Sequence, residues 1–568
     1  MRFRLRQMNM KQVTSYLKLF LPIVITFSVF IVIGCESSHT PNISNGTKVF
    51  EANCVTCHNF QQDGIGPQLG GLKGVVEQDY LIKFIKSPKA MVEAKDARAT
   101  ATYNKFGTMM PDFQQLKASD LQDIAAYILA QPAPNDASNK VASQNPIPEP
   151  ITKAGITLNL QKVLQFPFTN DKLPRTRINK MEFHPITKET LVSDLQGKIY
   201  ILNAINQPEV YFDITRYFKN FVNNPGLATG LGSFAFHPDF AKNKLAYTTH
   251  TEPANTAKAD FAYAENIPVK LQWVVIEWTV NDPNARELTG TPRELLRINV
   301  VNVIHGMQEI AFNPTAKPTD EDYGLLYIGM GDGGAVEKGY PEIARDKNHI
   351  WSKVLRINPR GNNSKNGKYG IPPSNPYVNK DGLDEVYASG FRNPNRITWT
   401  RDGKVIVSNI GQRQVESLYL LKAGKDYGWP DREGTFAIPA VANVNAVAPL
   451  PADDAKFGYS YPIAQYDHDE GNAIIGGFEY TGRDLPHLQG KYIFGEIVRG
   501  RIFYLNLKEI KEGSPTKIQE FPLAVEGQPT TLKDQCKVDK VDLRIGRDAA
   551  GELYLMTKSD GVMYKIVK

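Results

Sequence analysis

Residues 54 to 58 read Cys54-Val55-Thr56-Cys57-His58, two thiols one helical turn apart with an imidazole directly behind the second. Both thiols can add to the vinyl groups of a porphyrin while the histidine reaches the iron from the same face, so covalent geometry dictates this spacing. Zinc is the competing use of such a pair, but no second cysteine pair or suitably spaced histidine pair follows. No strand precedes the motif, which argues against a thioredoxin-like redox pair. The sequence therefore predicts one covalent haem c, held by Cys54 and Cys57, with His58 as an axial ligand of the iron. The opposite ligand is expected about fifty residues on, where Gly107-Thr108-Met109-Met110-Pro111 stands. Met110 is the expected donor and Met109 the alternative, the unused methionine filling the core.

These ligands need helices around them. Ser119 is expected to cap a helix in which Leu121, Ile124, Ala125 and Ile128 share one face. Gly66-Pro67 after the attachment motif, a methionine directly before proline and this closing helix together resemble the class I cytochromes c over residues 44–131. Methionine-histidine ligation raises the reduction potential, which suits an acceptor downstream of an organic oxidation. The glycines at 64, 66, 70 and 71 follow no strand and make no phosphate loop.

Ahead of this region, five basic residues in the first eighteen precede an apolar run from Leu19 to Ile33 that ends at Gly34-Cys35. The run is short for a membrane span of ~20 residues and has the order of an export signal. A small residue directly before a cysteine resembles the bacterial lipobox, so residues 1–35 are read as a lipoprotein signal with Cys35 lipidated; an uncleaved anchor is the alternative. Either reading delivers the rest to the cell envelope, anchored in the membrane and facing the periplasm or exterior. The chain has only four cysteines, the fourth being Cys536, so no disulfide framework is expected, and Cys536 is expected to be buried and inert. A formal charge of +6 over 568 residues advertises no nucleic-acid surface.

Residues 132–155 shift to Pro, Ala, Asn and Ser and are expected to form an extended linker. Beyond it, residues 156–568 carry short alternating strands between Gly, Pro, Asn and Asp turns. Six apolar triplets recur: Leu191-Val192-Ser193, Leu245-Ala246-Tyr247, Leu326-Tyr327-Ile328, Val405-Ile406-Val407, Tyr492-Ile493-Phe494 and Leu553-Tyr554-Leu555. Six units of about 69 residues imply long loops on one face. The expected fold is multidomain: a small all-α cytochrome domain, then an all-β six-bladed propeller. His184 and His237 sit in equivalent turns, Phe183-His184-Pro185 and Phe236-His237-Pro238, and are expected to be structural. Asp467-His468-Asp469-Glu470 is read as a solvated loop, because consecutive residues rarely converge on one ion.

Four stretches of the propeller carry a second resemblance: Gly230 to Phe240, Leu326 to Gly334, Gly390-Phe391-Arg392-Asn393-Pro394 and Asp426-Tyr427-Gly428-Trp429-Pro430. They resemble the glucose/sorbosone dehydrogenase family, whose members are six-bladed propellers that hold pyrroloquinoline quinone (PQQ) with calcium at the mouth of the central channel. The resemblance implies that His305 takes the hydroxyl proton of a substrate while hydride passes to the quinone. It implies Arg392 and Asn393 as quinone contacts, and backbone carbonyls of Gly411 and Gln412 as calcium ligands. The sequence departs from the family where Ile304 replaces an aspartate, Ala228 a glutamine and Val498 a lysine; Arg499 and Arg544 lie near the basic quinone contacts but out of register. With Ile304 in place, nothing in the sequence is expected to orient the His305 ring.

The reading that unites these features is an exported quinohaemoprotein that oxidises a sugar or polyol and passes electrons through haem to a periplasmic or membrane acceptor. A tethered haem has a high effective concentration at its donor, which favours a redox role for the propeller. The alternatives are a propeller without quinone that binds a glycan or a protein, and a non-redox carbohydrate enzyme, which fold alone does not exclude.

Overall fold

Five helices open the structure, and the first, second and fifth share one apolar core. The computed structural model describes residues 39–54, 58, 60, 66–106, 109–133, 145–224, 228–438 and 446–568. The helices are α1 (Ile43–Asn53), α2 (Gln78–Lys86), α3 (Pro88–Glu93), α4 (Ala97–Phe106) and α5 (Ala118–Leu129). Leu121, Ile124, Ala125 and Ile128 are buried along one face of α5, against Phe50 of α1 and Leu81 and Ile85 of α2. Asn42 caps α1, its side-chain oxygen accepting the Asn45 N–H at 3.1 Å. Buried Asp123 then ties the two helices together, accepting from Asn42 N and from Asn45 Nδ2, each at 2.7 Å. The cap expected of Ser119 is not made: α5 starts at Ala118 behind Lys117, with no side-chain cap bond.

The rest of the chain is a six-bladed propeller. The inner strands of the blades are Ile178–Phe183, Ser233–Phe236, Met307–Phe312, Pro394–Trp399, Ile474–Glu479 and Leu543–Arg547, and each begins a sheet by pairing antiparallel with the second strand. All six apolar triplets fall in the second strand of a blade, where both faces pack against neighbouring sheets. Leu158–Gln165, from the start of the domain, pairs antiparallel with Val562–Val567 from its end, so the sixth blade closes the ring with strands from both termini.

The linker does not leave the propeller untouched. Thr152–Lys153 adds a parallel edge to Gln519–Glu520 of the fifth blade. Upstream of that, the loop expected to be solvated grips the chain: Asp467 accepts the Ile147 N–H at 2.9 Å and Glu470 the Ile151 N–H at 2.7 Å, while Asp469 accepts from the Asn145 amide. Arg499 holds this loop from below, donating to the carbonyls of Asp469 and His468.

The turn histidines are structural. His184 Nδ1 accepts from the N–H groups of Ile186 and Thr187, and His237 Nδ1 accepts from Asp239 N at 3.0 Å. Both roles require a neutral ring, and burial enforces it: the His184 pKa falls and that of His237 is pushed down to about 4.

Candidate functional sites: a haem cradle and the mouth of the propeller

Helix α1 ends by placing Cys54, buried, at its C-cap, and the His58 N–H donates to the Cys54 carbonyl at 2.9 Å. His58 Nδ1 lies 2.8 Å from the Pro67 carbonyl oxygen. A carbonyl only accepts, so Nδ1 carries the proton and Nε2 the lone pair that a metal takes. The ring packs against the chain at Gly66, where a Cβ would sit 2.5 Å from His58 Cε1; only glycine admits this approach. Met110, half-buried, packs on the helical core that Cys54 shares, whereas Met109 does not. Cys57 lies outside the described residues, as do Leu19 to Ile33 and Cys35. A fixed imidazole with Nε2 basic, a thiol at the helix end and a thioether on the core fit a haem.

In the propeller, the inner strands begin at one face; His305, Arg392 and Asn393 lie just before such strands, and Gly411 and Gln412 lie in the turn between the second and third strands of the fourth blade, Val405–Asn409 and Val415–Leu420. His305 precedes the third, with its backbone in the left-handed region at φ 54°. Its Nδ1 is 2.7 Å from Asp332 Oδ1. The expectation that nothing orients this ring is therefore wrong: the carboxylate comes not from position 304, where Ile304 is buried in the core, but from the end of the second strand of the same blade. Asp332 is itself fixed, its N–H donating to Arg392 O at 2.8 Å and its Oδ1 accepting from Gly334 N at 2.9 Å. Burial pushes its carboxyl up, but the pairing and hydrogen bond with the His305 ring, with Arg392 and the Gly334 N–H, outweigh this and hold it below the usual range.

Arg392 and Asn393 precede the fourth inner strand. Arg392 Nη1 donates to the Gly411 carbonyl and Nη2 to Glu337 Oε1, both at 2.6 Å, and its guanidinium lies 5.8 Å from the Trp429 ring centroid. The Gly411–Val415 loop is shaped by Glu433, whose carboxylate accepts the N–H groups of Gln412, Arg413, Gln414 and Val415 at 2.7–2.9 Å. Because each peptide is planar and trans, turning those N–H groups toward Glu433 turns the carbonyls of Gly411 and Gln412 away from it. The first of these meets Arg392, so a cation at Gly411 would have to displace the guanidinium.

Four polar atoms around this mouth are buried without a hydrogen-bond partner among the described residues: Arg392 Nε, Asn393 Oδ1, Gln412 Oε1 and Trp429 Nε1, with Asp332 Oδ2 as a fifth. Such orphans are costly unless a ligand or water completes them. On the opposite side of the channel, buried Asp542 faces Lys558, Arg544, Lys540 and Arg177; despite burial, these cations hold its carboxyl far below the usual range. Arg544 and Arg177 keep their charge, whereas burial and the neighbouring Arg544 push the Lys558 amine well below its ordinary range. Arg544 also donates to Asn179 at 3.1 Å. Where Ala228 departs from the family, an amide still arrives: Gln308 Nε2 donates to the Ala228 carbonyl at 3.2 Å. Val498 is buried and supplies no charge. The donors and orphaned atoms thus fit a planar, polyanionic quinone.

A sequence profile described as glucose/sorbosone dehydrogenase matches residues 178–565. The chain belongs to the glucose/sorbosone dehydrogenase family. A cytochrome c profile matches residues 43–132, which makes the five-helix region a cytochrome c domain and implies haem c. Among relatives, quinoprotein glucose dehydrogenase B of Acinetobacter calcoaceticus is 23% identical over 334 residues, 55% of this chain and 63% of that protein. Human Hedgehog-interacting protein is 24% identical over 408 residues, 67% of this chain and 49% of that protein. The chain thus spans less than two thirds of the length of either relative. A crystal structure of the soluble aldose sugar dehydrogenase of Escherichia coli superposes with a TM-score of 0.50 at 17% identity, covering 72% of this chain and 99% of that one; this likeness concerns the fold. Asp332, Glu337, Glu433 and Gln308 were not singled out from sequence. The one signal for Asp332 was its place in Gly331-Asp332-Gly333-Gly334: a Cβ at Gly331 would lie 2.4 Å from the His305 carbonyl oxygen, so the glycine lets the two segments touch.

Proposed function

We propose that this chain is an exported, lipid-anchored quinohaemoprotein that oxidises a sugar or related polyol at the propeller and passes the electrons to its own haem c. The observation that carries the reading is the His305–Asp332 pair at 2.7 Å beside orphaned polar atoms of Arg392, Asn393 and Gln412. Asp332 accepts a hydrogen bond from the Nδ1–H of His305, which leaves the Nε2 lone pair to accept the proton of a substrate hydroxyl. The resulting imidazolium is stabilised by the adjacent carboxylate. When bound, PQQ would supply the acceptor for the hydride from the same carbon. Arg392 and Asn393 would hold its carboxylates and carbonyls, and the cations around Asp542 would favour its negative charge. Calcium at the Gly411 and Gln412 carbonyls requires Arg392 to release Gly411, a rearrangement that an arriving quinone carboxylate would drive by drawing the guanidinium to itself.

The test is substrate-dependent haem reduction by the purified full chain, with and without PQQ and calcium, across a panel of aldoses and polyols. Reduction that requires PQQ supports the proposal; its absence with every substrate overturns it. The second reading, a propeller that binds a glycan or protein, is favoured by one observation, the Glu337 carboxylate already paired with Arg392 at 2.6 Å, and by the similarity to Hedgehog-interacting protein. Export is tested separately: Cys35→Ala should abolish incorporation of labelled fatty acid, and labelling that persists rejects the lipid anchor.

A further inference from the structure

Helix α1, which delivers Cys54 to the haem, meets the propeller through one acidic side chain. Glu51 Oε2 lies 3.2 Å from Lys270 Nζ, and Glu51 Oε1 lies 3.8 Å from Lys338 Nζ. Glu51 precedes Cys54 by three residues, less than one helical turn. The two lysines are not arbitrary surface cations. The Lys270 N–H donates to the Val300 carbonyl at 2.8 Å, at the strand end from which the segment carrying His305 departs. The Lys338 N–H donates to the carbonyls of Gly334 and Ala335, each at 3.1 Å, in the segment that carries Asp332 and Glu337. A second contact comes from α4, the helix that leads toward Met109 and Met110. Tyr103 Oη is 3.4 Å from Asp539 Oδ1, and Lys533 Nζ pairs with the same Asp539 oxygen at 2.9 Å. Asp539 lies shortly before the sixth inner strand, so both contacts fall on the face where the candidate site opens.

We infer that Glu51 is the docking residue of the haem domain, seated between Lys270 and Lys338 so that the haem-bearing helix rests on the two segments that hold His305 and Asp332. For its electron donor this inference rests on the dehydrogenase reading above. Oxidation of one carbinol to a carbonyl releases two electrons and two protons; two ferric haem equivalents become ferrous, and the protons pass to water. One haem must therefore be emptied by an external one-electron acceptor between the two transfers. A dockable contact serves that sequence. All three side chains of the clasp are about one-third or more exposed, and exposed ion pairs of this kind are weak, so the contact forms and releases readily. The tether keeps the haem at high effective concentration throughout.

The test compares wild type, Glu51→Lys and the charge-swapped triple variant Glu51→Lys with Lys270→Glu and Lys338→Glu, all as full-length holoprotein. With a small dye as acceptor in place of the haem, dehydrogenase turnover should be equal in all three. Haem reduction by substrate should slow by about tenfold or more in Glu51→Lys and recover in the triple variant. Equal haem reduction in wild type and Glu51→Lys overturns the inference. A second readout needs no quinone: carbodiimide joins only carboxylates and amines in contact, and should link residue 51 to 270 or 338 at low salt but not at ~1 M, where screening acts within ~3 Å. If no dye-linked turnover is seen in any protein, the dehydrogenase reading fails while the cross-link still decides the docking; a missing cross-link at low salt rejects it.

Discussion

His305 and Asp332 show what a single pair of atoms decides. General-base assistance contributes ~100- to 10,000-fold, so His305→Ala should lower turnover by about that factor while PQQ titrates to the same endpoint. Asp332→Asn keeps an acceptor for Nδ1 but removes the charge beside the protonated ring, and it should fall between wild type and His305→Ala in turnover, again with quinone binding kept. Arg392→Ala should do the reverse, weakening cofactor binding first. Turnover unchanged in both His305→Ala and Asp332→Asn, with active holoenzyme, would remove the pair from the mechanism. In the haem domain, Met110→Ala should leave the haem attached and abolish the far-red methionine-to-iron absorption band; loss of that band in Met109→Ala alone would transfer the ligand role.

Among the elements, the second strands of the blades were legible, and the carboxylate that orients His305 was not. Leu326-Tyr327-Ile328 and its five counterparts are apolar because those strands are covered on both faces, a local pattern that a chain displays by itself. The pairing of Leu158–Gln165 with Val562–Val567 joins segments about four hundred residues apart, and no local pattern announces such closure. Asp332 was hidden for the same reason: its partner stands 27 residues away, across a hairpin. Ser119 failed as a cap because α5 begins two residues earlier, with Lys117 at the cap position, a boundary that periodicity does not resolve. Cys536, expected to be buried, is half-buried beside the sixth blade, and burial pushes its thiol up to about 12. The turn histidines carry a prediction at this scale. His237 has a folded pKa of about 4 against an ordinary 6.5, so its contribution is complete above pH 6.5 and is lost as the pH falls through 4. The difference corresponds to on the order of 3 kcal/mol. His237→Asn retains an oxygen for the Asp239 N–H and does not titrate; the drop in melting temperature between pH 7 and pH 4 should shrink in this variant. An unchanged drop would assign acid sensitivity to other groups.

At the scale of the whole molecule, residues 41–568 form one compact unit that nonetheless holds separate cores. Phe50, Leu81, Ile124 and Ile128 make a helical core of their own, and no strand residue of the propeller belongs to it. All five tryptophans, Trp273, Trp278, Trp351, Trp399 and Trp429, stand in the propeller, so their fluorescence reports on the blades while haem absorption reports on the helices. Between the two lie half-exposed ion pairs and a short linker grip, too weak to bind two cores into one transition. Ile124 and Leu555 are both fully buried, and truncating either to alanine should cost ~2–5 kcal/mol. The consequences differ because of size. Each kcal/mol shifts the melting temperature of a 60–100-residue domain by ~4–8 °C and that of a larger one by less. Ile124→Ala should therefore move the haem transition strongly and leave the tryptophan transition in place, whereas Leu555→Ala should move only the tryptophan transition, and by fewer degrees. Coincident shifts of both signals in either variant would mean that the docked haem domain and the propeller unfold as one, and the contact at Glu51 would then be a permanent joint rather than one that opens to let the haem meet its acceptor.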